Sequence, residues 1–143
     1  MKTLFIMLMV VCALACGVAD KAAKPTDQLK IQGLWLAQTE SQNGNVRKVD
    51  YKYVFDGDKL SFTDETGKEV KYLFRLDTNA SPRLMSIQPN DSLTKMAPVS
   101  VAYALEGDSL KIVVAPAGLR PISISDSNSQ ELIVCRRKEA IKQ

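Results

Sequence analysis

The side chains of this chain that bear on chemistry are one interior thiol, one loop arginine and a band of aromatic rings. Cys135 stands in the apolar run Leu132-Ile133-Val134-Cys135. A nucleophilic thiol needs a base to take its proton, and none of the 143 residues is a histidine. What remains for Cys135 is the behaviour of a small buried hydrophobe. The same lack removes the commonest general base and the commonest metal ligand together. Asp56-Gly57-Asp58 offers too few oxygens for a calcium loop, and the sequence has neither a Gly-x-Ser-x-Gly elbow nor a phosphate loop. No catalytic residue, metal site or cofactor is therefore expected, and the chain is read as a non-enzyme.

Recognition is the chemistry that the other candidates fit. Tyr51, Tyr53, Phe55, Phe62, Tyr72 and Phe74 fall within 24 positions. Rings at alternate positions either line a ligand cavity or fill a core, and both readings stay open. On the first reading Tyr53 and Tyr103 touch a small, partly apolar ligand. Arg120 belongs to the Pro-rich connection Ala115-Pro116-Ala117-Gly118-Leu119-Arg120-Pro121. There it either presents a planar donor fork to a ligand at the mouth or holds loop carbonyls in place.

The elements that must position these residues are strands. Val70, Tyr72, Phe74 and Leu76 alternate with Lys71, Leu73, Arg75 and Asp77; Val99, Val101, Tyr103 and Leu105 alternate with Ser100, Ala102, Ala104 and Glu106. A period of two places one face inward and the other outward. The pattern predicts strands at 33–41, 47–55, 59–64, 69–77, 83–88, 98–106, 109–115 and 131–137. Asn43-Gly44, Asp56-Gly57, Thr66-Gly67 and Gly107-Asp108 supply turn chemistry between them. No helical pattern of about ten residues or more interrupts the series. The expected fold class is all-β: an antiparallel up-and-down barrel of about eight strands, closed to remove its edges. Phe55-Asp56-Gly57-Asp58-Lys59-Leu60 echoes Leu105-Glu106-Gly107-Asp108-Ser109-Leu110, a similarity that convergent hairpin turns explain.

Gly33-Leu34-Trp35 opens the first strand, and Arg136 and Arg137 end the last. This arrangement resembles lipocalin-type barrels, in which the indole crosses the barrel floor and a terminal arginine stacks on it. Trp35, Arg136 and Arg137 are accordingly the expected closure residues, and a cation over an indole contributes about 0.5–2 kcal/mol. Ile31-Gln32-Gly33-Leu34-Trp35, Phe74-Arg75-Leu76-Asp77 with Ser81-Pro82-Arg83, the two Gly-Asp hairpins and Gly118-Leu119-Arg120-Pro121 are together similar to the successive motifs of one family. It is the uncharacterised lipocalin-like domain family abundant in planctomycete bacteria. The resemblance covers residues 31–138, with departures at Leu34 and at 123–130. It implies a small exported barrel and brings no catalytic residues with it.

The N-terminus reads as a targeting segment. Lys2 precedes an apolar run that ends in small residues around Ala13-Leu14-Ala15-Cys16-Gly17, the layout of a secretory signal too short to span a membrane. Two processing schemes fit: lipidation of Cys16, which anchors the protein to a membrane, or plain cleavage that leaves a secreted chain. The expected organisation is a signal at 1–16, a flexible tether at 17–30, the barrel domain at 31–138 and a tail at 139–143. The expected location is periplasmic or on the outer surface. Asn79-Ala80-Ser81 and Asn90-Asp91-Ser92 are formal glycosylation sequons that matter only in a eukaryotic secretory pathway. Nineteen basic residues against 16 acidic give a net charge of +3, without the basic stripe that nucleic-acid binding requires. The functional expectation is a non-catalytic extracytoplasmic module that binds a small ligand; the alternative is a protein-interaction module acting through its loops.

Overall fold

The computed structural model describes residues 25–91, 93 and 96–138. A short helix, α1 (Asp27–Lys30), precedes nine strands: β1 (Gly33–Gln42), β2 (Asn45–Lys48), β3 (Lys52–Asp56), β4 (Lys59–Thr63), β5 (Glu69–Asp77), β6 (Leu84–Pro89), β7 (Val99–Glu106), β8 (Ser109–Val114) and β9 (Glu131–Arg137). All pairings are antiparallel, in the order β2-β1-β3-β4-β5-β6-β7-β8-β9, and β1 also pairs with β9. The sheet thereby closes into an eight-stranded lipocalin-like barrel with one extra strand.

The extra strand arises from a break in the second expected strand. Residues 33–36 of β1 pair with β3, and residues 39–42 pair with β2 on the same edge. Between them Ala37 N donates to Tyr51 O (2.9 Å) and Val49 N to Gln38 O (3.2 Å). β2 and β3 are thus one bent strand, with one more residue at the bend than β1 has opposite it. A second irregularity lies on the other edge of β1, where the pairing passes from Ala37↔Cys135 to Thr39↔Val134 and leaves Gln38 over. A bulge of this kind inverts the alternation beyond it.

The two ends of the barrel differ. At the floor, where β3 turns to β4, β5 to β6 and β7 to β8, α1 folds over the opening, so residues 27–30 are not the flexible tether expected of them. Thr26 caps this helix. Asp27 Oδ2 accepts from Arg83 Nη1 and from the Tyr103 hydroxyl, each at 2.8 Å. Gln28 and Gln32 donate to Gly57 O at 2.7 and 3.0 Å, and Gly57 N donates back to Gln32 Oε1 at 2.7 Å. Ile31, buried completely, then plugs a lower half already filled by Trp35, Phe55, Phe74, Met85 and Leu110.

The Pro-rich connection between β8 and β9 is a strap on the outside of the barrel. Ile124 packs on the outward residues Leu84, Ala102 and Val113. Asn43 N donates to Asp126 O (2.7 Å), tying the strap to the β1–β2 turn. Its organiser is buried Gln130, whose side chain accepts from Ile122 N at 2.8 Å and donates to Ser125 O at 3.1 Å.

Candidate functional site

Closure of the floor depends on β1 and β9 lying side by side. Trp35 and Arg137 are register partners and so share a face. The guanidinium carbon sits 4.2 Å from the indole centroid, and Trp35 Nε1 donates to Ile31 O at 2.8 Å. Arg137 also donates to Gln32 O at 2.6 Å and to Lys30 O. Gly33 makes room for it: a Cβ there would lie 3.3 Å from Arg137 Nη1, on a backbone with φ of +110° that side-chain-bearing residues disfavour. Arg136, expected to share this role, instead points outward and is exposed. The pleat explains the correction, because neighbouring residues of a strand face opposite sides. The arrangement seals the fold; it offers no reacting group.

Above the filled half the interior opens into a cavity of about 740 Å³ between β3 and β7. Successive strands deliver their inward residues to it: Tyr53, Leu60 with Phe62, Val70 with Tyr72, Ile87, and Val99. Register makes this wall continuous, since Tyr53 pairs with Phe62, Phe62 with Val70, and Ile87 with Val99. Tyr53 and Phe62 meet at a tilt of 46° with centroids 5.1 Å apart, and Tyr51 meets the same ring edge-on at 5.4 Å. Leu60 and Tyr53, 3% and 7% exposed, mark the inner end; Met96, Asn90 and Glu69 lie toward the mouth. The volume falls within the roughly 300–1,000 Å³ of pockets that hold small molecules.

A polar cluster stands on the β1 and β9 side of the open end. The bulge at Gln38 turns Glu40 to the same face as its partner Ile133, a core residue. There Glu40 accepts from the Tyr51 hydroxyl (2.7 Å) and from Arg47 (2.9 Å). Glu131 joins them. Burial pushes the Glu131 carboxyl up, as does its hydrogen bond to Glu40. Burial acts on Glu40 in the same sense, but hydrogen bonds from Tyr51, Glu131 and Arg47 outweigh it and hold Glu40 below the ordinary range. The two carboxyls are thus shifted in opposite directions, Glu40 down and Glu131 up. Strict alternation of β1 from Trp35 and Ala37 would have sent Glu40 outward; the sequence carries no signal for the bulge.

Of the residues expected to touch a ligand, the cavity collects Tyr53 alone. Tyr103 belongs to the floor: it is 1% exposed, its hydroxyl is bonded to Asp27, and burial together with that bond pushes its phenol up. It was misplaced because the partner lies in the presumed tether. Arg120 is exposed on the strap, does not line the cavity, and among the described residues makes no hydrogen bond. Cys135 is fully buried, and burial pushes its thiol up to about 12, leaving it protonated and inert. Among the described residues no group of three or more histidine, cysteine, aspartate and glutamate side chains is placed to hold a metal ion. Cys16, the expected lipidation site, and the tail at 139–143 lie outside the described residues. Compared with protein-family models, with curated proteins and with solved structures, the chain matches none.

Proposed function

We propose that this protein is a non-catalytic, exported binding module that holds a small, partly apolar ligand inside its barrel. The observation that carries the reading is the cavity of about 740 Å³, walled by inward-facing apolar and aromatic side chains while the opposite half of the same barrel is packed solid. A fold that fills one half with large residues has the means to fill the other. Leaving it open costs dispersion contacts along the whole wall, a cost that an occupant removes. The motif resemblance to the lipocalin-like family of planctomycete bacteria supports the same reading, as does the signal-like N-terminus. On this proposal Cys16 carries the lipid anchor and residues 17–26 are the leash between membrane and floor. Cys16→Ser should then move the protein from the membrane to the soluble fraction.

Native mass spectrometry of the protein purified from its own host tests the binding. A mass excess corresponding to one small molecule, lost on denaturation, is expected. Recovery of only the bare chain or of a stoichiometric protein partner would count against it. The second outcome belongs to the alternative, an interaction module working through its loops. That alternative is supported by Leu93 at the mouth and by Leu119 and Ile122 on the strap, all well exposed.

A further inference from the structure

We infer that the cavity is built for an uncharged amphiphile whose hydrogen-bond acceptor meets the Tyr53 hydroxyl, and that it discriminates against carboxylates of the same chain length. The inference rests on the ligand reading above and adds to it the chemistry of the ligand's buried end.

The Tyr53 side chain is more than nine-tenths buried, it lines the inner end of the cavity, and among the described residues no hydrogen bond reaches its hydroxyl. Every enclosed side-chain nitrogen or oxygen of the described residues does have a partner. The Tyr53 oxygen is therefore not sealed in protein and opens into the cavity that the ring borders. Its neighbours in the interior differ in this respect. Tyr103 donates to Asp27 and Tyr51 to Glu40, each over a short bond. A ligand acceptor at this point gives the hydroxyl a hydrogen bond inside the cavity.

The surroundings select the kind of acceptor. Burial, with Cys135, Tyr51, Glu131 and Glu40 adding to it, holds the Tyr53 phenol far above its ordinary range, so it stays a neutral donor. The carboxyls that act on the phenol are Glu131 and Glu40. Arg47, the cation of the adjacent cluster, is bonded to Glu40 at 2.9 Å and lies 3.7 Å from Glu65. Among the described lining residues the one cation is Lys71, exposed at the rim on a strand position between the inward Val70 and Tyr72. A carboxylate brought to Tyr53 would lose its hydration and gain one neutral hydrogen bond beside two glutamates. An alcohol, ester or amide oxygen gains the same bond without that loss. The apolar chain lies along Phe62, Val70 and Ile87 toward the mouth.

Titration calorimetry of the purified protein with 1-decanol, decanoate and decylamine near neutral pH tests this. The alcohol should bind one to one, with decanoate at least about tenfold weaker. Tyr53→Phe should weaken decanol about three- to tenfold, the worth of one neutral hydrogen bond, with an unchanged unfolding midpoint. Equal binding of decanol and decanoate, or no effect of Tyr53→Phe, overturns the selectivity and leaves the cavity as a binding site. Tighter binding of decylamine than of decanol overturns it too, by assigning the inner end to a cation. No binding of any of the three overturns the ligand reading itself and this inference with it. The comparison on the unmutated protein remains decisive should Tyr53→Phe not fold.

Discussion

Removing the floor indole probes the closure most directly. Trp35 is fully buried, and truncating a buried aromatic to alanine costs about 3–5 kcal/mol from lost transfer energy and the cavity left behind. Two features place this site in the upper part of that range. Ile31 O loses the donor that now lies 2.8 Å away, and an orphaned buried acceptor costs about 1–3 kcal/mol. Arg137 loses the ring 4.2 Å from its guanidinium, a contact of about 0.5–2 kcal/mol. These contributions overlap with the truncation and do not simply add, so Trp35→Ala should cost about 4–5 kcal/mol. A domain of this kind is stable by about 5–15 kcal/mol, and the alanine variant leaves little in reserve. Trp35→Phe, which keeps most of the ring and loses the N–H, should cost about 1–3 kcal/mol. Urea unfolding followed by far-ultraviolet dichroism measures both without relying on the deleted fluorophore. A double-mutant cycle with Arg137→Leu isolates the stacking from the bonds that Arg137 makes to Gln32 and Lys30, and its coupling energy should be about 0.5–2 kcal/mol. A Trp35→Ala cost below about 1 kcal/mol, or a coupling of zero, would refute the floor as the point where β1 and β9 are locked.

Enlarging a cavity wall residue should separate binding from stability. Val70→Phe is expected to abolish decanol binding in calorimetry while changing the unfolding free energy by less than about 1 kcal/mol, whereas Val101→Phe in the packed half should cost about 1–3 kcal/mol. The paired carboxyls give stability opposite slopes with pH. Glu131, held up, contributes stability that is present below its ordinary range and lost as pH rises through its raised value. Glu40, held down, contributes stability that is present above its ordinary range and lost as pH falls through its lowered value. Glu131→Gln keeps a donor toward Glu40 without titrating. Its unfolding free energy should therefore gain on the unmutated protein as pH rises above about 4.5, by no more than about 1 kcal/mol because solvent reaches the pair. The thiol of Cys135, pushed up to about 12 by burial, should resist iodoacetamide in the folded protein and react in urea, as read by peptide mass. Labelling of the folded protein at the rate of a free thiol would place Cys135 outside the core.

The strands were legible because burial on one face imposes a period of two, and that period survives in β5, whereas in β7 the strap buries the outward Ala102 as well. Where the backbone departs from regular pleating, the residues carry no mark of it. Nothing in Gln38 or Asp50 announces that β1 bulges or that the second strand bends into β2 and β3, yet the bulge decides that Glu40 faces Ile133 inside the barrel. The floor was half legible. A Gly-x-Trp start and a basic strand end were visible, but the choice of Arg137 over Arg136 follows from register, which sequence leaves undefined to within one residue. α1 went unseen because four residues are too short to show a 3.6-residue period. With it went Asp27, the partner that makes Tyr103 a floor residue.

Whether the interior is full or hollow depends on how inward side chains meet across the barrel, which no single strand's alternation contains. β3 shows this within three residues. Phe55 points down into the floor and meets Phe74 edge-on at 5.1 Å, while Tyr53, one pleat higher, meets Phe62 at the cavity's inner end. Both are inward and both are buried; what separates them is the material above and below. Ile31 and Trp35 close the space beneath Phe55, because α1 is tied across that end by Asp27, Gln28 and Gln32. At the other end the long connection from β8 to β9 lies along the outer wall over Leu84, Ala102 and Val113, held there by Ile124 and Gln130, and supplies no corresponding plug. The hollow half is therefore a consequence of where two chain segments were laid. Residues that set stability and residues that set binding accordingly divide along the barrel axis, with Tyr53 at the boundary.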